Sequence, residues 1–234
     1  MPATWNNALN SYKYPINFRT FSRCEDFHGF FKLSLIGDRS STIEFERRFQ
    51  TMGPSNIESF FEVAYWKYYS QANRREQGTK RVVDHVTTNA ISPDMLWGAI
   101  EGFIQSHTKT NLQRIRDVLG IKSKVLALAL TFPALASPST LPMIDNQVAK
   151  WVNKNLTSHN ANRKNTLSPF ILKRTSLQDD DFPNYLNWVA WCRETSDILS
   201  TITSTVWRPR DVEMAVFTAQ RNNMPLNSLD GTLS

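Results

Sequence analysis

The clearest hydrophobic pattern in the chain begins just after Gly53-Pro54, a pair that interrupts regular structure. Ser55 and Glu58 have the spacing of a capping box, in which two side chains satisfy the first amides of a helix. Apolar residues then recur at the spacing of one helical face, at Ile57, Phe60, Phe61, Ala64, Tyr65 and Tyr68. The pattern therefore predicts a helix that opens at Ser55 and packs one stripe against a core.

The end of this predicted helix, YWKYYSQANRR, is rich in aromatic and polar groups. Trp66, Tyr69, Ser70 and Gln71 stand there beside two arginines. One interpretation is a core helix with an ordinary polar end. The other is a helix terminus that contributes side chains to a cleft, and the pattern leaves both open.

A helical hairpin is predicted in the middle of the chain. Thr110 to Leu119 is a basic amphipathic helix, and Gly120 can take the left-handed conformation that ends a helix. The apolar segment Val125 to Phe132 resumes after the turn Gly120-Ile121-Lys122-Ser123. Before this hairpin we expect a helix over Thr79 to Val86 and another capped by Ser92-Pro93.

An irregular loop bounded by Pro138 and Pro142 follows the hairpin, and Asp145 lies early in the next helix. Val148, Ala149 and Val152 of that helix are expected to face the core. An acid in a first helical turn usually stabilises the helix dipole, so a purely structural role for Asp145 stays open.

The rest of the chain has fewer signals. Residues 1 to 50 show weak periodicity, and their middle piece fits a strand or a helix equally. The basic stretch Ser158 to Arg174 is expected to be a loop between lobes or simply a solvated linker. Long helices are predicted from Phe182 and from Pro209, with a frayed tail from Asn222. We predict a mostly or entirely α-helical protein, built as one large domain or as two small lobes that share a cleft, with segments 1–50, 51–157 and 158–234.

Charge and composition narrow the function classes. The chain has 234 residues, 41% of them hydrophobic, which excludes wholesale disorder. Its net charge is +6, and the segment Lys109 to Arg174 alone holds eleven basic and two acidic residues. Such a segment favours an acidic partner, although a solubility charge or a solvated face would look the same.

Disulfide-rich, metal-binding, membrane-spanning and secreted proteins are all disfavoured by the sequence. Cys24 and Cys192 are too few for a disulfide framework or a metal cluster, and Cys24 with His28 lacks a second pair of metal ligands. The apolar run Val125 to Ala136 is too short to span a bilayer, and the first residues lack a signal-peptide pattern. We therefore expect no metal, no cofactor, no membrane partner and an intracellular location, in cytoplasm, nucleoid or nucleus.

The hairpin Leu119-Gly120-Ile121-Lys122-Ser123-Lys124-Val125, followed by Pro142-Met143-Ile144-Asp145-Asn146-Gln147-Val148, resembles the helix-hairpin-helix base-excision DNA glycosylases. That family carries a hairpin of the form LPGVGxKxA and then a segment of the form VDxxVxR. The resemblance covers roughly Ile57 to Val152. Here Leu119 stands in place of the proline and Lys122 in place of the second glycine, and Asp145 follows Lys124 by 21 residues, slightly more than usual.

The resemblance implies a monomeric enzyme that removes a damaged or modified base from double-stranded DNA. Lys124 would match the nucleophile of members with lyase activity, and Asp145 the shared catalytic aspartate. The base pocket would include Gln71, with Trp66 and Tyr69. DNA contacts would come from Gly120, Ile121, Lys122, Ser123, Lys150 and Lys154. Members with an iron–sulfur cluster are excluded because the cysteines are absent.

Four aromatic residues, Trp66, Tyr69, Trp188 and Trp191, can stack a flipped base, but aromatic residues at helical spacing usually form core.

Two other functions remain as hypotheses beside the enzyme. A helix-hairpin-helix protein that binds the DNA backbone without catalysis fits the altered hairpin, in which Lys122 would contact phosphate by charge. A helical scaffold, in which Asp145 is only a first-turn acid, is the third possibility.

Overall fold

A computed structural model describes residues 2–16, 35–69, 71, 75–122, 124–172 and 176–229. This part of the chain is mostly helical, as predicted. The helices are α1 (Pro2–Asn10), α2 (Arg39–Met52), α3 (Glu58–Tyr68), α4 (Arg75–Thr88), α5 (Pro93–Gln105), α6 (Lys109–Leu119), α7 (Leu126–Ala136), α8 (Asn146–Asn160), α9 (Phe182–Thr203) and α10 (Pro209–Asn222).

Two short strands, β1 (Tyr14–Ile16) and β2 (Leu35–Gly37), pair antiparallel, with Tyr14 opposite Gly37 and Ile16 opposite Leu35. They and the helices α1 and α2 lie in the first 52 residues, where the sequence pattern was too weak to choose between helix and strand. Most of the ambiguous middle piece, including Cys24 and His28, lies outside the described residues.

The chain forms two compact units. The hairpin unit consists of Lys13–Ser123 and Leu128–Ala136, and the acid unit of Met1–Tyr12, Lys124–Ala127 and Ser137–Ser234. These boundaries do not coincide with the predicted ones at residues 50 and 157.

An aromatic cluster forms the centre of the hairpin unit. Phe49 of α2 packs edge-on against Phe60 of α3, with ring centroids 5.3 Å apart, and Phe132 of α7 stacks on Phe60 at 6.2 Å. The three rings are at most 2% exposed. Residues distant in sequence thus meet in one core, which explains why α7 is apolar on all sides.

The predicted opening of α3 at Ser55 is wrong. The helix begins at Glu58, and Ile57 at its N-cap makes no side-chain capping bond; Asn56 Oδ1 accepts a hydrogen bond from the amide of Glu58 at 2.9 Å. The predicted single stripe is also too narrow, because every residue from Ser59 to Trp66 is buried. A helix surrounded by protein has no solvent face for the periodicity to reveal.

Other predicted helices are confirmed. Ser92 caps α5 by accepting a hydrogen bond from the amide of Met95, and proline occupies the first turn. The long helix begins at Phe182 and the last one at Pro209. No described helix is both long enough and apolar enough to span a membrane.

The tail beyond α10 is ordered by contacts as far as Leu229, so the prediction of fraying from Asn222 is wrong for these residues. Trp5 Nε1 donates to Asn227 O at 2.9 Å, and His159 Nε2 bonds to Leu226 O at 3.2 Å. Leu229 is only 3% exposed. These partners lie far away in sequence, and local polarity does not predict them.

The described part of the basic stretch after α8 packs against its neighbours at several points, while Lys164 and Ile171 are exposed. Asn153 and Asn160 pair through their amide groups with the backbone of Phe170 and Leu167 respectively. Arg163 donates to Glu194 at 3.0 Å and lies over the Trp191 ring. Burial alone would raise the pKa of Glu194, but hydrogen bonds from Asn165 and the charge of Arg163 outweigh it and lower the pKa.

We predict that Leu229→Ala lowers the free energy of unfolding by about 2–5 kcal/mol, because it opens a cavity in a buried site. The matched control is Val206→Ala, which removes methyl groups from a side chain that is 81% exposed and should change stability by less than about 0.5 kcal/mol. Urea unfolding of both variants measures the difference. Equal midpoints would show that the tail contributes no packing.

Candidate active site

The turn after α6 is a tight helix ending built on Gly120. Its φ is +67° and ψ is 26°, in the left-handed region predicted for it. The amide of Ile121 donates to Arg116 O at 2.8 Å and that of Gly120 to Asp117 O at 3.3 Å. These two bonds define a Schellman ending, which satisfies the last carbonyls of the helix.

His85 of α4 lies directly against this turn. A Cβ atom at position 120 would lie 2.3 Å from its Cγ and 2.6 Å from its Cβ, so glycine is required by space as well as by conformation. His85 Nε2 donates to Asp117 O at 3.1 Å, and Nδ1 accepts from Asn89 at 3.3 Å. Sequence reasoning missed His85, because a histidine 35 residues before the turn gives no local signal.

Two backbone amides of the hairpin turn already donate hydrogen bonds within the protein. Since the N–H groups of Gly120 and Ile121 close α6, they donate inward and not to a ligand. Among the described residues, the amide of Lys122 has no hydrogen-bond acceptor, and its side chain is exposed. The amide and side chain of Lys122 are thus both open at this turn, and Ser123 lies outside the described residues.

Lys124 belongs to the acid unit and is exposed. Two residues later the amide of Leu126 donates to Leu177 O at 3.1 Å, which fixes the start of α7 within that unit. Lys124 and Asp145 thus belong to the same compact unit, while Gly120, Ile121 and Lys122 belong to the hairpin unit.

The loop before Asp145 is irregular but deeply buried. Leu141, Met143 and Ile144 are at most 3% exposed. Its first turn is closed by Ser137 and Thr140, whose hydroxyl oxygens are 2.6 Å apart. Asp145 therefore emerges from a fixed stretch of chain and not from a mobile surface loop.

Asp145 is the N-cap of α8 rather than a residue of its first turn. Its Oδ1 accepts hydrogen bonds from the amides of Gln147 at 2.8 Å and Val148 at 2.9 Å. Val148, Ala149 and Val152 face the core, as predicted. Among the described residues Oδ2 accepts no hydrogen bond, so this half-buried side chain keeps one oxygen for another partner.

The predicted base-pocket residues lie in the hairpin unit. Trp66 is 5% exposed, with the Tyr14 ring 4.6 Å and the Phe45 ring 5.9 Å from its own, which favours the core interpretation. Tyr69 carries Arg75 over its ring at 4.9 Å, and Gln71 is exposed. Ser70 lies outside the described residues.

The two tryptophans of α9 are core residues. Trp188 and Trp191 are both 0% exposed and stack on each other with centroids 5.5 Å apart. Neither ring has a face open to a flipped base. Of the alternatives left open for them, packing is the one that the structure supports.

The basic segment divides into buried and exposed groups. Arg116 and the side chain of Arg163 are each only 3% exposed. Seven described members are exposed: Lys109, Arg114, Lys122, Lys124, Lys150, Lys154 and Lys164. Lys150 and Lys154 lie one turn apart on α8, and Lys154 borders a polar pocket of about 320 Å³ together with Asn155, Gln220 and Asn223.

No family model, no curated protein and no solved structure matches the chain. The likeness to the glycosylases therefore rests on the residues of the hairpin and of the Asp145 segment alone. Its consequences for function remain proposals.

We predict that Gly120→Ala destabilises the hairpin unit by at least about 1–2 kcal/mol, because alanine is strained at positive φ and meets His85. The matched control is Gly98→Ala on α5, where an added Cβ would meet nothing within 4 Å. That control should be neutral or stabilise by up to about 1 kcal/mol. Thermal unfolding of both variants tests this, and equal effects would contradict it.

A second prediction separates the capping role of Asp145 from the effect of its negative charge. Asp145→Ala removes the cap of α8 and should cost about 1 kcal/mol of stability, whereas Asp145→Asn keeps a capping oxygen and should cost only a few tenths. Chemical denaturation measures both. If the two variants were equally destabilised, the charge and not the cap would be what α8 needs.

Proposed function

We propose that the protein is a DNA N-glycosylase of the helix-hairpin-helix type, a two-lobed base-excision repair enzyme that acts on double-stranded DNA. The observation that carries the proposal is an order of features along the chain. A left-handed glycine turn at Gly120 is followed by Lys124 and then by Asp145, an acid held at a helix N-terminus with one oxygen available.

The reaction needs the base outside the helix stack, because its bond to the sugar cannot be reached within a duplex. When the bond between C1′ and the base nitrogen breaks, the electron pair leaves with the base. The sugar carbon becomes electron-poor, and Oδ2 of Asp145 stabilises that charge and orients the attacking group. In simple hydrolysis, water adds its oxygen to C1′ and keeps one hydrogen as the new hydroxyl, while its other proton passes through the carboxylate to the departing base.

Lys124 extends the chemistry to strand cleavage. The Nζ amine attacks C1′ in place of water; one of its hydrogens leaves with the base and the other passes to O4′ as the C1′–O4′ bond breaks, so a Schiff base forms between Nζ and C1′. Loss of a proton from C2′ then expels the 3′ phosphate. The membership of Lys124 and Asp145 in one compact unit supports a shared role for the two residues.

The remaining residues serve binding. Lys122, with its exposed side chain and unused amide, takes a phosphate at the turn, and Lys150 and Lys154 add charge along α8. Such contacts hold the duplex without reading its sequence. The excised base is selected by the pocket, for which Gln71 and Tyr69 remain the candidates from the family resemblance, whereas Trp66 is packed in the core.

A non-catalytic DNA-binding protein is the second candidate. The capping bonds of Asp145 favour it, since they give this residue a structural task that requires no chemistry. Lys122 in place of the second hairpin glycine favours it as well.

Borohydride trapping on DNA with an abasic site tests the enzyme. We expect a covalent adduct with the wild type that Lys124→Gln abolishes and that the matched control Lys164→Gln, at another exposed lysine of the same unit, retains. Asp145→Asn should lower the rate of base release by at least about a hundredfold, because it removes the charge that stabilises the sugar cation. A panel of oxidised, deaminated and alkylated bases supplies the substrates.

The other outcomes separate the candidates. Base release that depends on Asp145 without a trapped adduct would identify a monofunctional enzyme in which Lys124 only contacts phosphate. Binding that weakens steeply with salt, with no release from any substrate, would select the non-catalytic protein. Absence of DNA affinity at low and high salt would eliminate both.

A further inference from the structure

Helix α9 presents three hydrogen-bond donors to the loop that leads to Asp145. Tyr185 Oη donates to Pro142 O at 3.2 Å, and Trp188 Nε1 donates to Met143 O at 2.9 Å. Five residues further along, Arg193 Nε donates to Thr140 O at 2.9 Å. Three side chains spread along one helix thus hold three carbonyl groups of one loop.

These bonds supply the hydrogen-bond donors that the buried carbonyl groups of the loop require. A buried carbonyl without a donor costs about 1–3 kcal/mol, and this stretch has no secondary structure to supply donors. Tyr185 and Trp188 are both 0% exposed, so water does not compete with them. Burial raises the pKa of the Tyr185 phenol, which therefore keeps its hydrogen and stays a donor.

We infer that Tyr185 and Trp188 are positioning residues that set the place of the Asp145 carboxylate through the backbone of Pro142 and Met143. Met143 precedes Asp145 by only two residues, and Ile144 between them is 1% exposed. This short, buried link restricts how far Asp145 can move relative to Met143. The consequence for catalysis rests on the proposed function, whereas the positioning can be measured without DNA.

Trp188→Phe is the main test, because it keeps an aromatic ring and removes the donor to Met143. The matched control is Trp191→Phe on the same helix, where an equally buried tryptophan donates to His159 O at 3.2 Å, outside the loop. Both variants lose similar packing. They differ in which carbonyl is left without its donor.

Amide hydrogen exchange at Gln147 and Val148 reports on Asp145, since both amides donate to its Oδ1. We expect exchange at these two amides to be faster on the order of tenfold in Trp188→Phe, relative to wild type. In Trp191→Phe it should stay within about twofold at matched global stability. Equal acceleration in both variants would overturn the inference.

Tyr185→Phe is the second variant and removes a single hydroxyl from the other donor. It should accelerate exchange at the same two amides, so the test survives if Trp188→Phe fails to fold. Unchanged exchange in Tyr185→Phe, together with unchanged exchange in a folded Trp188→Phe, would equally overturn the inference.

Single-turnover base release distinguishes positioning from general stability. Trp188→Phe should lower the rate while leaving the dissociation constant for DNA unchanged, and Trp191→Phe should alter neither. If the wild type releases no base but the exchange pattern is as expected, the proposed function fails and the positioning stands. If the wild type is active and the exchange pattern is absent, the positioning fails alone.

Discussion

The irregular stretch from Thr140 to Met143, buried from Leu141 onward, must satisfy its carbonyl groups without help from a helix or a sheet. Side chains of α9 meet this requirement, since Tyr185, Trp188 and Arg193 donate to carbonyls more than forty residues earlier in the chain. A helix whose tryptophans form a core therefore also defines the path of a loop. The position of Asp145 follows from that path, so the acid depends on the packing of α9.

The capping bonds of Asp145 leave part of its carboxylate available for a catalytic role. A carboxylate has about four lone-pair positions, and the two amides of α8 occupy only Oδ1. The cap fixes the side-chain rotamer, and the positive end of the helix dipole stabilises its charge. A group held in this way need not reorganise when charge develops on a substrate, which is the condition under which electrostatic stabilisation works best.

Sequence reasoning succeeded where one local signal was sufficient. Ser92-Pro93 marked a helix start and Gly120 a left-handed end, and both are confirmed. It failed where neighbours compete or partners are remote: Asn56 and not Ser55 accepts the amide of Glu58, and the tail is held by Trp5 and His159. His85 beneath Gly120 and the donors of α9 belong to the same group, because a single-sequence pattern does not encode contacts across tens of residues.

The choice of aspartate as the cap bears on which function is the better proposal. Asparagine and serine cap helices about as well as aspartate does, and neither brings a negative charge to a protein that binds a polyanion. A module that only grips phosphate, through Lys122 and other lysines, is weakened by an added carboxylate. A glycosylase needs that carboxylate beside an electron-poor sugar carbon. An aspartate with Oδ2 uncommitted to the described residues therefore favours the enzyme over the binding module.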